Sequence, residues 1–398
     1  MMLAEGILEL QSEIQAIRRD IHAHPELKYE EHRTAGVVAA KLRSWGIEVT
    51  EGLGGTGLVG RLRRGTSTRA VGLRADMDAL PLQEHNAFDH ASKHAGKMHA
   101  CGHDGHTAML LAAAKWLATH GGFDGTVNFI FQPAEEGGAG AQKMIDDGLF
   151  ERFPCDAVFG IHNWPGAPVG TFALTPGPLM AGSNEFEITL RGKGAHAALP
   201  HMGVDPVLVA THLVQALQSI ITRNKKPIDA AVLSVTEIHA GDATNIVPDS
   251  AIIRGTVRTF SIEVLDLIEA RMKALTEQLP PAFGATGALH FHRNYPPTIN
   301  HEKEAAFAAS VMREVVGEEN VDDACEPVMG SEDFAFMLQA RPGCYAFIGN
   351  GDGAHRDHGH GLGPCTLHNP SYDFNDELIP LGGSYWVKLV QRFLPVTA

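Results

Sequence analysis

Val127-Asn128-Phe129-Ile130-Phe131 is an apolar, β-prone run, and it empties directly into Gln132-Pro133-Ala134-Glu135-Glu136-Gly137-Gly138. A short strand ending in two adjacent carboxylates points to an open α/β sheet, because such sheets gather their ligands beyond the carboxyl ends of their strands. Two readings of the pair stand side by side. It can be a solvated turn, or one glutamate can bind a cation while its neighbour takes a proton from water.

Working outward, two further strand ends carry polar groups. Residues 157–161 form an apolar run that closes on His162, within Gly160-Ile161-His162-Asn163-Trp164-Pro165. Residues 70–75 form another, followed by Asp76-Met77-Asp78. A lone histidine in such a place is also what a satisfied structural group looks like. Three polar strand ends together are harder to assign to chance. Residues 58–62 add a fourth short run, and the helix-like stretches 107–118 and 140–147 fall between the later runs, so the pattern predicts an α/β sheet sandwiched by helices.

Ahead of the sheet, Leu3, Ile7, Leu10, Ile14, Ile17 and Ile21 recur at helical spacing, and a second helix is predicted over residues 30–45, stopped by Gly46. Gly52-Leu53-Gly54-Gly55-Thr56-Gly57 matches a dinucleotide fingerprint by letters. That fingerprint needs a helix after it, whereas residues 58–62 read as a strand, so the segment reads as a hairpin turn. The densest chemical signal is Cys101-Gly102-His103-Asp104-Gly105-His106, just before the helix expected from Thr107. Sulfur and imidazole donors suit zinc and its neighbours in the transition series. A capped loop around a buried cysteine is the other reading. Neither a G-x-S-x-G elbow nor an H-E-x-x-H helix is present.

Between residues 182 and 292 the pattern changes to strand, helix, two strands, helix, strand. Phe186, Ile188 and Leu190 alternate, 206–220 and 262–279 look helical, and 231–238 and 251–260 look extended. This predicts an inserted α+β domain, with the α/β domain made of residues 1–181 and 293–398. A chain of 398 residues is long enough for two cores. A formal charge of −15 argues against nucleic acid or an anionic membrane as partner. No apolar run is long enough to span a bilayer, and residues 1–20 carry Glu5 and Glu13 among spaced apolar residues rather than a signal peptide's basic start and continuous core. The chain is therefore expected in the cytoplasm. Five cysteines, an odd and sparse set, fit a reducing compartment. In the glycine- and histidine-rich loop 349–363, His355, His358 and His360 are expected to be solvated, and Cys365 to be a buried thiol.

These segments resemble the hippurate hydrolase and N-acyl-amino-acid amidohydrolase branch of the aminoacylase–carboxypeptidase metallohydrolases. The resemblance runs through Asp20-Ile21-His22-Ala23-His24-Pro25-Glu26, the Cys101, Glu135 and His162 segments, Gly330-Ser331-Glu332-Asp333-Phe334 and Leu367-His368-Asn369-Pro370. It implies a three-layer, zinc-peptidase-like catalytic domain with an inserted ferredoxin-like domain for dimerisation and closure, hence a homodimer or higher homo-oligomer. It implies two divalent ions, with zinc, manganese, cobalt or nickel all compatible with the donors. Cys101 would bridge them, with His103 and His162 on one ion and Glu136 and His368 on the other. Wider relatives carry His-x-Asp where this chain has Asp76-Met77-Asp78. The first histidine is thus absent; His103 would substitute for it and Asp78 would orient the ligands.

By the same resemblance Glu135 is the general base and His196 stabilises the oxyanion. Asn245 and Arg258 are weaker candidates for substrate contacts, Arg258 being equally readable as a surface ion-pair residue. The implied reaction is hydrolysis of an N-acyl amino acid such as benzoylglycine. A dipeptidase or aminopeptidase acting on small peptides is the nearest alternative. A non-catalytic metal- or ligand-binding protein is the rival of another class, and it would need neither Glu135 nor His196.

Overall fold

The structure is a computed structural model that describes residues 1–356 and 358–396. The chain forms two compact units: Met1–Leu179 with Ile299–Glu326 and Asp333–Ala398, and Met180–Thr298 with Pro327–Glu332. The second is somewhat wider than the span 182–292 expected from sequence, since its last strand, Thr286–Tyr295, runs past His292.

The first unit is built on an eight-stranded sheet whose middle is parallel. Ala70–Asp76 lies between Gly125–Gln132 and Ala157–Pro165, and Gly343–Gly351 follows on the far side of Ala157–Pro165. The hairpin Glu48–Leu53 and Gly57–Arg64 adds two antiparallel strands at one edge. Its turn is the glycine-rich segment, as the missing helix predicted. All seven residues of Ala70–Asp76 are buried, which a parallel strand covered on both faces requires. Helices Gln11–Ala23, His103–His120, Glu302–Val316 and Leu378–Phe393 share one core with Val71, Leu73, Phe129 and Phe159. The shorter helices Gly140–Asp146 and Phe334–Ala340 pack against strands of the same sheet. These are the expected three layers.

Helix His103–His120 connects Ala70–Asp76 to Gly125–Gln132 and is buried on every side through its first three turns, its middle Ala108–Ala114 being wholly apolar. A helix of that composition belongs inside. It begins four residues before the predicted start, so His103 is its first residue. The opening helix differs more. Gly6 takes a left-handed φ of 76°, a 3-10 turn follows over Ile7–Leu10, and the α-helix begins only at Gln11.

The second unit has a four-stranded antiparallel sheet in the order Ala231–His239, Ser250–Thr259, Gly182–Arg191, Thr286–Tyr295. Helices Pro206–Ser219 and Ile262–Gln278 supply Leu213, Leu217, Leu265, Ile268 and Met272 to a core shared with Phe186, Ile188 and Leu190. That order is ferredoxin-like. Both helices start where the sequence says they should. Asp205 accepts from the N–H groups of Val207 and Leu208 with Pro206 at the first position, and Ser261 accepts from Val264. Among the described residues no helix is long and apolar enough to cross a membrane.

Candidate metal centre

The parallel strands deliver their polar ends to one edge. Cys101, His103 and His162 bring one donor atom each to within 4.8 Å of one another. Cys101, Glu136 and His368 do the same. The two triplets share the Cys101 sulfur. Glu135 joins His103 and Glu136 in a third such group.

The tautomers of the first triplet are set by the backbone. Nδ1 of His162 lies 2.6 Å from the carbonyl oxygen of Asn163, so it carries the proton and leaves the Nε2 lone pair facing Cys101 Sγ at 3.4 Å. Nδ1 of His103 lies 2.9 Å from the carbonyl of Asp78 and 3.1 Å from its Oδ1. Its Nε2 is buried without a hydrogen-bond partner. In the second triplet, His368 Nε2 and Glu136 Oε1 approach to 3.1 Å, yet Oε1 receives no aligned hydrogen bond. Two lone pairs turned toward one point are what ligands of a common cation present.

The local field points the same way. Burial pushes the Cys101 thiol up, and the Glu136 carboxylate adds to it. Burial opposes charge on His103, but Asp76 and Cys101 outweigh it and hold the imidazole well above its ordinary range. Close approach of Cys101, then of the Glu136 carboxylate, raises His368 to about 10. Burial, then His106, holds His162 well below the usual value and hence neutral. The cluster favours positive charge, which shifts two of its imidazoles upward. Soft sulfur, imidazole and carboxylate donors, with a buried nitrogen left unbonded, fit divalent transition-metal ions.

Other residues fix these donors. Asp78 bonds His103 through Oδ1 and accepts the Glu136 N–H through Oδ2 at 2.9 Å, a placement suited to orienting both. His106 is a bolt between two strand ends. Its Nδ1 meets Asp76 Oδ1 at 2.6 Å, and its Nε2 accepts from the N–H of Asn163 at 3.0 Å. Asn163 in turn donates to the carbonyl of Cys101 and accepts from Tyr372. Both motif glycines are needed. A Cβ on Gly102, at φ 91°, would lie 2.3 Å from Asn163 Nδ2, and one on Gly105 would lie 2.2 Å from the Phe374 ring.

Sequence reasoning assigned no part to Asp76, His106 or Asn163, although all three lie inside quoted motifs. It also left Asp20–Glu26 without a task. His22 sits fully buried between Asp104 and Glu84, at 3.0 and 3.2 Å. Burial opposes its charge, but those carboxylates raise it to about 10. Glu26 caps the helix His32–Ser44 by accepting from Arg33 and Thr34.

The remaining candidates lie elsewhere. His196, on the short strand Ala195–His196 of the second unit, is exposed, and its Nδ1 accepts from Ala198 N–H at 3.1 Å. Asn245 of the same unit is exposed and accepts the Ala197 N–H through its carbonyl. Arg258 is half-buried and donates to Thr256 Oγ1 and the Val257 carbonyl, with Glu185 near enough to act on its charge. His355 and His360 point at Asp373, at 3.3 Å from its carbonyl and 3.2 Å from Oδ2, and take no part in the donor clusters. They are half-buried rather than solvated, while His358 is exposed as expected. Asp357 of this loop lies outside the described residues. Cys365 is a buried thiol, as expected, and all five cysteines are free.

A carboxylate beside paired donor clusters at a sheet edge is the equipment of a metallopeptidase-type amidohydrolase. The chain belongs to peptidase family M20/M25/M40, whose profile matches residues 72–392. It is similar to the hippurate hydrolase of Campylobacter jejuni, 43% identical over 99% of this chain and 100% of the relative. It is also similar to the N-acetyl-L-cysteine deacetylase of Bacillus subtilis, 42% identical over 97% of this chain and 89% of the relative. Among solved structures, a dinuclear metal-binding peptidase of the M20 family from Bacillus subtilis superposes with a TM-score of 0.83 at 31% identity, covering 98% of this chain and 100% of that one.

Proposed function

We propose that this amidohydrolase cleaves the amide bond of N-acyl amino acids, releasing a carboxylic acid and an amino acid. The relatives named for hippurate and N-acetyl-L-cysteine support this substrate class. The observation that carries the chemistry is the pair of donor triplets sharing Cys101, with the Glu135 carboxylate beside them. Cys101, His103 and His162 would hold one divalent ion, and Cys101, Glu136 and His368 the other. Zinc, manganese, cobalt and nickel all suit these donors. Bound there, the ions would polarise the amide carbonyl and acidify a water.

Glu135 takes a proton from the attacking water and passes it to the departing amine. Its neighbour Glu136 is occupied as a ligand, so adjacent carboxylates divide the work. His196 would stabilise the developing oxyanion, in the site of a second copy of the chain if the second unit mediates dimerisation. Because its Nδ1 accepts from Ala198, the neutral ring carries its proton on Nε2, where it can donate. Asn245 and Arg258 would contact the substrate carbonyl or carboxylate, the guanidinium being suited to a carboxylate.

The test is amine release from a panel of benzoyl, acetyl and indole-acyl amino acids, with simple dipeptides alongside, before and after chelation. Chelator-sensitive release from the acyl amino acids is the expected result. Release from dipeptides alone would transfer the chain to the peptidases. No release from any member of the metal-loaded panel would leave a binding protein.

A further inference from the structure

Glu31 precedes helix His32–Ser44, its side chain is buried completely, and it lies far along the chain from the motifs that supply the site. Its Oε1 accepts the N–H of Ala134 at 2.8 Å, and its Oε2 accepts from Thr56 Oγ1 in the hairpin turn. Ala134 is the residue before Glu135, is itself buried, and holds a left-handed φ of 53°. We infer that Glu31 is a positioning residue, which by holding the Ala134 N–H sets the backbone turn from which Glu135 leaves its strand. This rests on Glu135 being the base.

The turn has little freedom to find its shape unaided. The Glu136 N–H on the other side of Glu135 goes to Asp78 Oδ2, so two buried carboxylates hold the N–H groups of the residues on either side of the base. Gly140 N–H returns to the Ala134 carbonyl, and Tyr29 OH donates to the Gly138 carbonyl. A buried alanine in the left-handed region persists only where its surroundings enforce it. Without Glu31, the Ala134 N–H would be a buried donor with nothing to bond, and the turn would shift to find a partner. Burial raises the Glu31 carboxyl above its ordinary value, and either protonation state leaves an oxygen to accept from Ala134. Reach, rather than charge, is therefore what the position supplies.

Two conservative variants separate reach from charge. Glu31→Gln keeps the length, with an amide oxygen for Ala134 and an NH₂ for Thr56. Glu31→Asp keeps the charge but is one methylene short. Both are compared with the parent protein, loaded with manganese, for bound metal, thermal midpoint and the kinetics of N-benzoylglycine hydrolysis.

Glu31→Asp should lose about tenfold or more in kcat, with KM and metal content little changed, because small misplacements of a reacting group are costly. Glu31→Gln should stay within about threefold of the parent, because the hydrogen bond survives. The reverse order, equal losses in both, or a loss that follows bound metal would overturn the positioning role. So would parental kcat in Glu31→Asp alongside an inactive Glu135→Gln. Full activity in Glu135→Gln would instead remove the base assignment itself, so the two failures are told apart.

Discussion

The two halves of the candidate metal centre are built to different standards. Around Cys101, His103 and His162 every side chain is buried, each imidazole has its Nδ1 fixed by a carbonyl, and a histidine bolt ties the supporting strands together. Around Glu136 and His368 the support is thinner. The His368 side chain is 55% exposed, its backbone sits at φ 60°, and it lies on a loop instead of a strand or helix. If the centre binds cations as proposed, the first half would be formed beforehand and the second would be completed on binding. The lesson is that a shared sulfur does not make equal sites, because affinity depends on how much ordering remains to be done on binding.

The largest test treats both halves alike. Glu135→Gln should lower kcat by on the order of 10²–10⁴-fold while metal analysis finds both cations retained, since the base is a ligand of neither. Parental activity in that variant removes the base from the scheme. Next, His162→Ala and His368→Ala should part company in metal titrations. The first loses the tightly held equivalent, whereas the second still carries about one equivalent per chain through gel filtration. Identical titration curves would erase the distinction between the halves. Asp78→Ala loosens both together, through His103 and through the Glu136 N–H, and should weaken metal affinity by about 10–100-fold. An effect confined to one equivalent would show that only one of those bonds matters. The smallest expected effect is Tyr372→Phe. It removes the hydroxyl that steadies Asn163 behind the buried half and should cost about 1 kcal/mol in denaturant unfolding, with metal content unchanged.

How much of this could be read from the chain depended on distance along it. Glu136 and His162 drew notice because each ends an apolar run, Cys101 and His103 because they share a dense motif, and His368 only through the family resemblance, while period-two alternation at Phe186, Ile188 and Leu190 gave away the second core. Apart from Asp78, which the resemblance supplied, the supports were not legible. Nothing local marks Glu31 as the partner of Ala134, 103 residues away, or Asn163 as the link between Cys101 and Tyr372. Helix starts were misplaced for a local reason. Gly102 and Gly105 look like loop residues, but the first takes the left-handed conformation before the helix and the second lets Phe374 pack against it. The opposite error at the opening helix came from weighting apolar spacing above Gly6.

The parallel pairing of Ala157–Pro165 with Gly343–Gly351 bears on how the protein comes into being. During synthesis the whole of Met180–Thr298 must leave the ribosome before the second of these strands exists. The central sheet stays open at that flank until then, its strand edge bare to solvent and to other chains. Cys101, His103, Glu136 and His162 emerge early and His368 late, so a nascent chain can bring the buried half of the candidate centre together well before His368 has been translated.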